Sequence, residues 1–531
     1  MSSIFDGKEF IFNAVTDFHQ RNVQITSLKG GGFVATWQST NGDGDTNGYT
    51  GVVARIWNPK TGFGDEFVVN QTIAGSQADP EVIQLKDNRL LFGWESAAPG
   101  DVYGYTAYAR VFSKTGTALH DEVQISSLDG QGGFNIEFDQ LSNGMIVGSW
   151  YNRHYTGSAY SGTHQIAYFD PDNIAGATTT GFSADNASGA RDIGADVLAL
   201  ADGTYVVNAI NNNSPYYEDV FYHFDASGGT ISGPDRASQL LAQTYEDSDP
   251  DAAQLSGGRV VMVWDTGISL GEIRMQIFKS DLTPIGTTQQ VGKVGVNAVD
   301  PAIAATPDGG FVVVYNANST ITMVRYDRLG EKVGGPYAVS QHLEKGNGFP
   351  EVETLSDGSI AVTWTRFTND NYTDVFGRLL KPALYGSNSK DTLTDQVGAN
   401  WIDGRNGADI LKGLGGNDTI FGDRGDDKIY GGGGKDRLAG EKGNDLLVGG
   451  KSRDVFVFAK KDGHDVVQDF TPRSDKIDLS AFHFKNKSAA LAEFNDAGGQ
   501  HNHLAKFSHA QTVVTFKGVD LHDITSHDLI I

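Results

Sequence analysis

Residues 413–448 read GLGGNDTIFGDRGDDKIYGGGGKDRLAGEKGNDLLV, four tandem nonapeptides with glycine at positions one and four, aspartate at six and an aliphatic residue at eight. Extended in both directions without a gap, the same frame divides Gly386–Val457 into eight units. Position six is Asp391, Asn400, Asp409, Asp418, Asp427, Asp436, Asp445 and Asp454, and position eight is Leu393, Ile402, Leu411, Ile420, Ile429, Leu438, Leu447 and Phe456. A flexible Gly/Asp linker has no reason to place one apolar residue at a fixed phase in every unit. The array therefore reads as stacked short strands with one inward side chain each.

The donor chemistry suits a hard cation. Ca2+ takes six to eight oxygens from carboxylates and backbone carbonyls at about 2.3–2.6 Å. Glycines at positions one and four are expected to take φ > 0 and turn their carbonyls toward one point, and the aspartate adds charge. One inward side chain per nine residues is a poor core against roughly 1–2 kcal/mol of backbone entropy per residue. Folding is therefore expected to wait for the ion, at extracellular rather than cytosolic calcium.

The array resembles the repeats-in-toxin family. That resemblance implies a parallel β-roll with two nonapeptides per turn and calcium between the aspartate loops of adjacent turns. The implied pairs are Asp409 with Asp427, Asp418 with Asp436, Asp427 with Asp445 and Asp436 with Asp454. The first two units depart from the pattern, with Ser389 for glycine, Asp395 at position one and Asn400 for aspartate, so Asp391 and Asn400 are the weakest of the implied metal ligands.

Upstream, a different period appears. The phrases LKGGGFVATWQ, LKDNRLLFGWE, LSNGMIVGSWY, LADGTYVVNAI, LSGGRVVMVWD, TPDGGFVVVYN and LSDGSIAVTWT align Trp37, Trp94, Trp150, Asn208, Trp264, Tyr315 and Trp364 at intervals of 49–58 residues. Each unit holds three or four strand-like runs, the length of a propeller blade. The seventh lacks its last run, and KEFIFNAV at residues 8–15 resembles the run DEFVVNQ of the first unit. An N-terminal strand completing the last blade would leave no open sheet edge. The expectation is an all-β chain: a seven-bladed β-propeller over residues 1–383, a nonapeptide roll over 384–457 and a β-rich cap over 458–531. The aromatic stripe is expected to pack between blades, and arginines at 55, 110, 274, 325 and 378 to sit in salt bridges. Asp43, Asp45 and Asn47 read as a polar hairpin turn rather than a calcium loop, because position twelve from Asp43 is Ala54.

The last segment, DVFVFAKKDGHDVVQDFTPRSDKIDLSAF at 454–482, is similar to the C-terminal domain of serralysin-type secreted proteases through Asp469, Phe470 and Asp475–Ser480. The resemblance implies an uncleaved C-terminal signal read by a type I secretion apparatus, and an extracellular protein. It brings no protease activity, because no helix motif of two histidines flanking a glutamate occurs in the sequence.

Charge narrows the partners. Residues 1–385 carry 44 acidic against 23 basic side chains, a balance that repels phosphate backbones and argues against nucleic acid. There is no cysteine, no run of 18 apolar residues and no basic start followed by an apolar stretch, so neither a membrane span nor a cleaved N-terminal signal is expected. The functional expectation is a secreted calcium-binding protein whose propeller binds an extracellular polysaccharide or surface protein. The alternative is a propeller enzyme, a lyase or glycoside hydrolase, acting on polysaccharide.

Overall fold

The structure is a computed structural model. It describes residues 9–14, 16, 18–45, 47–99, 105–126, 133–155, 160–182, 196–213, 216–235, 250–266, 271–292, 297–307, 309–340, 346–368, 372–380, 384–395, 401–482, 484–497 and 504–531. Asn400 lies outside them. Two compact units emerge, Glu9–Arg378 and Leu379–Ile531.

The first unit is a seven-bladed propeller of four-stranded antiparallel sheets. In the first blade the strands are Gln20–Ser27, Phe33–Thr40, Thr50–Asn58 and Gly62–Val68. The phrase that repeats in the sequence is the turn between the first two strands of each blade. In blade one the Leu28 N–H donates to Gly32 O at 3.0 Å and the Gly31 N–H to Leu28 O at 2.8 Å, and the same pair of bonds recurs at Leu141, Leu200 and Leu355. The fourth residue of the turn is left-handed, which is why it is glycine at Gly31, Gly144, Gly203 and Gly358, with φ of 84–93°; in blade two Asn88 is left-handed too, with φ of 73°, a conformation asparagine tolerates better than most.

The aromatic stripe is core. Trp37, Trp94, Trp150, Trp264, Tyr315 and Trp364 are at most 2% exposed, and the indoles of Trp37 and Trp94 donate to Gln20 and Gln77 on the neighbouring strand at 3.0 and 3.1 Å. The seventh blade comprises Asn347–Thr354, Ile360–Phe367 and Thr373–Leu380, and its fourth strand is Phe10–Ile11. Asn13 caps this strand: its Oδ1 accepts the Val375 N–H at 2.9 Å and its Nδ2 donates to Asp374 at 2.7 Å. In the first blade Asn70 occupies the matching place, its Oδ1 accepting the Val52 N–H at 2.8 Å.

The arginines need a correction. Arg55, Arg110 and Arg378 donate instead to main-chain carbonyls of Phe12, Val69 and Val339 at 2.7–3.0 Å, each just past the outer strand of the preceding blade. A guanidinium presents several donors in a fork, and strand ends offer carbonyls that need them. Arg274 does form an ion pair, with Glu272 at 2.5 Å. The Asp43 loop is a turn that satisfies itself: Asp43 accepts the Asp45 N–H and Asp45 the Asn47 N–H.

The second unit is a parallel β-solenoid of about five turns. One ladder runs Leu384–Tyr385, Trp401–Asp403, Thr419–Phe421, Arg437–Ala439, Val455–Val457, Lys476–Asp478 and Leu529–Ile530; the other begins Thr392–Thr394, Ile410–Lys412, Lys428–Gly433, Leu446–Lys451 and Gly463–Val467. The register stacks position eight on position eight, Leu393 on Leu411 on Ile429 on Leu447 and Ile402 on Ile420 on Leu438 on Phe456. From Ile402 onward these side chains are fully buried in one core. That core runs on into Phe470, Phe482, Phe494, Phe507 and Phe516, an aromatic cluster under the hairpin Leu504–His509 and Thr512–Lys517.

Candidate metal centre

Each nonapeptide bends between two short strands, and the bend is where glycine and aspartate fall. Position four is left-handed, φ running from 132° at Gly416 to 159° at Gly443. Position one is not, which corrects the expectation from the sequence. The residue with positive φ beside it is position two, at Arg405, Leu414, Asp423 and Glu441 with φ of 64–66°. Glycine is required at position one for a steric reason. A Cβ on Gly413, Gly422 or Gly431 would stand 2.7 Å from the carbonyl oxygen of Gly431, Gly440 or Gly449, one turn on, and closer still to the Oδ2 of Asp418, Asp427 or Asp436. The space a side chain would fill is flanked by a carboxylate oxygen from one turn and a carbonyl oxygen from the next.

The aspartates form two columns on opposite edges of the solenoid. On one edge the main-chain N–H of Asp391 donates to Asp409 Oδ1 at 2.6 Å, that of Asp409 to Asp427 at 2.7 Å and that of Asp427 to Asp445 at 2.8 Å. On the other, Asp418 donates to Asp436 at 2.8 Å and Asp436 to Asp454 at 2.9 Å. One oxygen of each carboxylate is thus fixed by backbone and the other is turned inward. The Oδ2 atoms of Asp409, Asp427, Asp436 and Asp445 are buried without a hydrogen-bond donor, and these residues are at most 2% exposed. A desolvated carboxylate oxygen without a donor is costly. Asp391 differs: its Oδ2 is taken by the N–H and hydroxyl of Ser387 at 2.6 and 2.8 Å.

Both columns run past the last nonapeptide. Asp445 donates to Asp465 Oδ1 at 3.1 Å and Asp454 to Asp475 Oδ1 at 3.0 Å. Asp465 is 2% exposed and its Oδ2 has no donor. Reading by the period of nine missed both, because the steps are 20 and 21 residues rather than 18. The signal available was the apolar register, Leu447 beside Val467 and Phe456 beside Ile477. Asp469 closes the end of this edge, accepting the N–H groups of Gly449 and Gly450 at 2.9 and 2.8 Å.

Burial is the chief cause of high carboxyl pKa values along the columns, opposed by the backbone N–H bonds and reinforced by neighbouring carboxylates. Asp427 and Asp454 are pushed up to about 7, Asp436 and Asp445 to about 6 and Asp465 to about 8, with Asp409 also raised. The donor set is all oxygen, anionic and convergent, which fits a hard divalent cation.

Residues 385–420 and 412–447 match the family of the RTX calcium-binding nonapeptide repeat. A search of curated proteins returns no match. Among solved structures, a protein of unknown function from Dyadobacter fermentans is similar at 12% identity and a TM-score of 0.45, covering 71% of this chain and 99% of that one. Trypanosoma rangeli sialidase is similar at 14% identity and 0.40, covering 68% and 55%. The NanB sialidase from Streptococcus pneumoniae is similar at 11% identity and 0.41, covering 72% and 71%.

Proposed function

With residues 385–447 carrying RTX calcium-binding nonapeptide repeats, we propose that the roll is a calcium-driven folding device of a protein that works outside the cell. The observation that carries this reading is the row of buried Oδ2 atoms without donors at Asp409, Asp427, Asp436 and Asp445, the first three beside a glycine carbonyl of the adjoining turn. Asp409, Asp418, Asp427, Asp436, Asp445 and Asp454 are the ligands, with Asp465 and Asp475 extending the columns. Asp391 contributes less, because Ser387 already occupies its inner oxygen. The ion supplies charge compensation that the chain lacks there and ties successive turns together, so binding and folding are one equilibrium.

In this reading the chain travels unfolded through a type I secretion apparatus and its roll closes on meeting extracellular calcium. Residues 458–531 cap the solenoid and carry the export signal. The propeller is the working module, binding an extracellular polysaccharide or surface protein. Among the described residues no helix is long and apolar enough to cross a membrane.

The test of the propeller's role is incubation of the calcium-loaded full chain with a panel of polysaccharides. Retention with no new reducing ends or unsaturated products supports binding. Product formation establishes the alternative, a lyase or glycoside hydrolase. Export is tested by expressing the full chain and one lacking residues 458–531 beside a type I apparatus: only the full chain should reach the medium, and equal export of both contradicts the assignment of the signal.

A further inference from the structure

The two edges of the roll are not equivalent, and the difference lies at position two of the nonapeptides. On the edge of Asp409, Asp427 and Asp445 the left-handed residues at this position are Arg405, Asp423 and Glu441, with φ of 64–66°. They stack turn on turn: the Arg424 N–H donates to Arg405 O at 2.8 Å and the Lys442 N–H to Asp423 O at 2.8 Å. On the edge of Asp418, Asp436 and Asp454, position two is Leu414, Gly432 and Gly450. One edge therefore carries carboxylates at position two beside its aspartate column, and the other carries none there.

Asp423 directly follows Gly422, and Glu441 directly follows Gly440. Between these two glycines lies the buried Oδ2 of Asp427, which has no donor: a Cβ on Gly422 would stand 2.4 Å from it and 2.7 Å from Gly440 O. A Cβ on Gly440 would in turn stand 2.2 Å from Asp445 Oδ2, also buried without a donor. Asp423 is among the carboxylates facing Asp427. The Glu441 and Asp423 carboxyl groups share a hydrogen bond, and Asp462 and Asp403 also face Glu441. Those two outer acids have other partners. Asp403 accepts the Arg405 N–H at 3.0 Å, Asp462 accepts the Ala459 N–H, and Lys442 faces Asp462. Asp423 and Glu441 are half-buried, and two ionised carboxylates so close repel unless a cation lies beside them.

The affinity of an all-oxygen site for calcium is set by how many carboxylates it offers and how rigidly they are held. We infer that Asp423 and Glu441 are further calcium ligands, and that they make the site between the Asp427 and Asp445 loops the tightest of the roll and the first to fill. The ion held there by Asp427 Oδ2 and the Gly440 carbonyl gains one carboxylate from each of the two turns it joins. On the opposite edge, the ion between Asp418 and Asp436 meets Leu414 and Gly432 at the same positions and gains none. The inference rests on calcium binding by the roll and adds the residues that rank its sites.

Calcium titration of the full chain against a competing chelator tests this. The parent should bind one ion roughly tenfold or more tightly than the rest. The Asp423→Asn/Glu441→Gln double variant should lose that tight ion into the weaker class, whereas Asp436→Asn, on the opposite edge, should keep it. A parent with a single class of ions, or a double variant that retains the tight one, overturns the inference. Crystals of the unaltered chain equilibrated at the free calcium that loads one ion give the second readout, by calcium anomalous diffraction. The first peak is expected between Asp427 and Asp445, and a first peak elsewhere is contrary; this map decides even if the double variant does not fold. Ions that bind the roll in one class leave its calcium-driven folding standing and remove only the ranking, while a chain that binds no calcium in the roll removes both.

Discussion

The main-chain N–H of Asp445 reaches Oδ1 of Asp465 at 3.1 Å, twenty residues ahead, and so carries the aspartate column one step beyond the nonapeptides. Asp465→Asn keeps the size and the acceptor but removes the charge. It is expected to lower bound calcium by one ion per chain. It should also raise the calcium needed to fold the roll by roughly tenfold, about 1.4 kcal/mol. Asp391→Asn should change either quantity far less, because Ser387 occupies the inner oxygen of Asp391. Calcium titrations followed by far-ultraviolet dichroism, with ion counting, check both.

The two kinds of glycine position give opposite expectations. Gly431→Ala drives a methyl against Asp436 Oδ2 and the Gly449 carbonyl, so it should abolish or severely weaken calcium-dependent folding. Leu414 has a φ of 64° and is 48% exposed. Leu414→Gly relieves a left-handed conformation that costs an L-residue roughly 1–2 kcal/mol, offset in part by the greater chain entropy of glycine. It should leave folding unchanged or ease it. The same titration ranks the two variants.

In calcium-free solution the roll should be most stable in acid. Asp427, Asp436 and Asp454 have folded pKa values of about 7, 6 and 7, against about 3.9 in an unfolded chain. Between those limits the folded state holds more protons than the unfolded one, so stability falls as pH rises from about 4 to about 7. Calcium displaces those protons, so its apparent affinity should rise with pH over the same interval. Far-ultraviolet dichroism in chelator at pH 4, 5, 6 and 7 checks the first trend, with the strand signal of the roll expected to be largest at pH 4; a signal that climbs with pH contradicts it.

Asn13 and Asn70 do the same work in different blades, so they should cost the same when truncated. Asn13→Ala leaves the Val375 N–H and the buried Asp374 without their partner, a loss of about 1–3 kcal/mol. Asn70→Ala removes the acceptor of the Val52 N–H and the donor to Asp43 and should match it. Thermal unfolding of the calcium-loaded chain measures both; a cost confined to Asn70 would mean that the N-terminal strand does little to hold the seventh blade.

What was legible in the sequence is what repeats at a constant step. Position eight of each nonapeptide and the Leu-to-Gly turn of each blade recur in phase, and both landed where expected. Asp465 and Asp475 escaped because insertions of two and three residues break the step. The role of position-one glycine was misassigned because a missing Cβ and a positive φ are written with the same letter, and only Gly431 beside Asp436 shows which is needed. Arg55, Arg110 and Arg378 were misjudged because a sequence full of acids suggests ion pairs, while the strand-end carbonyls that recruit guanidinium groups carry no letter at all. The acids around the propeller axis were missed altogether. Glu137, Asp196, Asp251 and Glu351 lie far apart in the chain and converge only once the seven blades close.

Hydrogen exchange of the full chain, read segment by segment in chelator and in millimolar calcium, tests the central claim most directly. Calcium-driven folding predicts that amides of residues 404–480 exchange freely in chelator and become protected in calcium, while the second strands of the blades, such as Phe33–Thr40 and Ile360–Phe367, stay protected in both. Strong protection of Ile420, Ile429, Leu438 and Leu447 in chelator, unchanged by calcium, would contradict it.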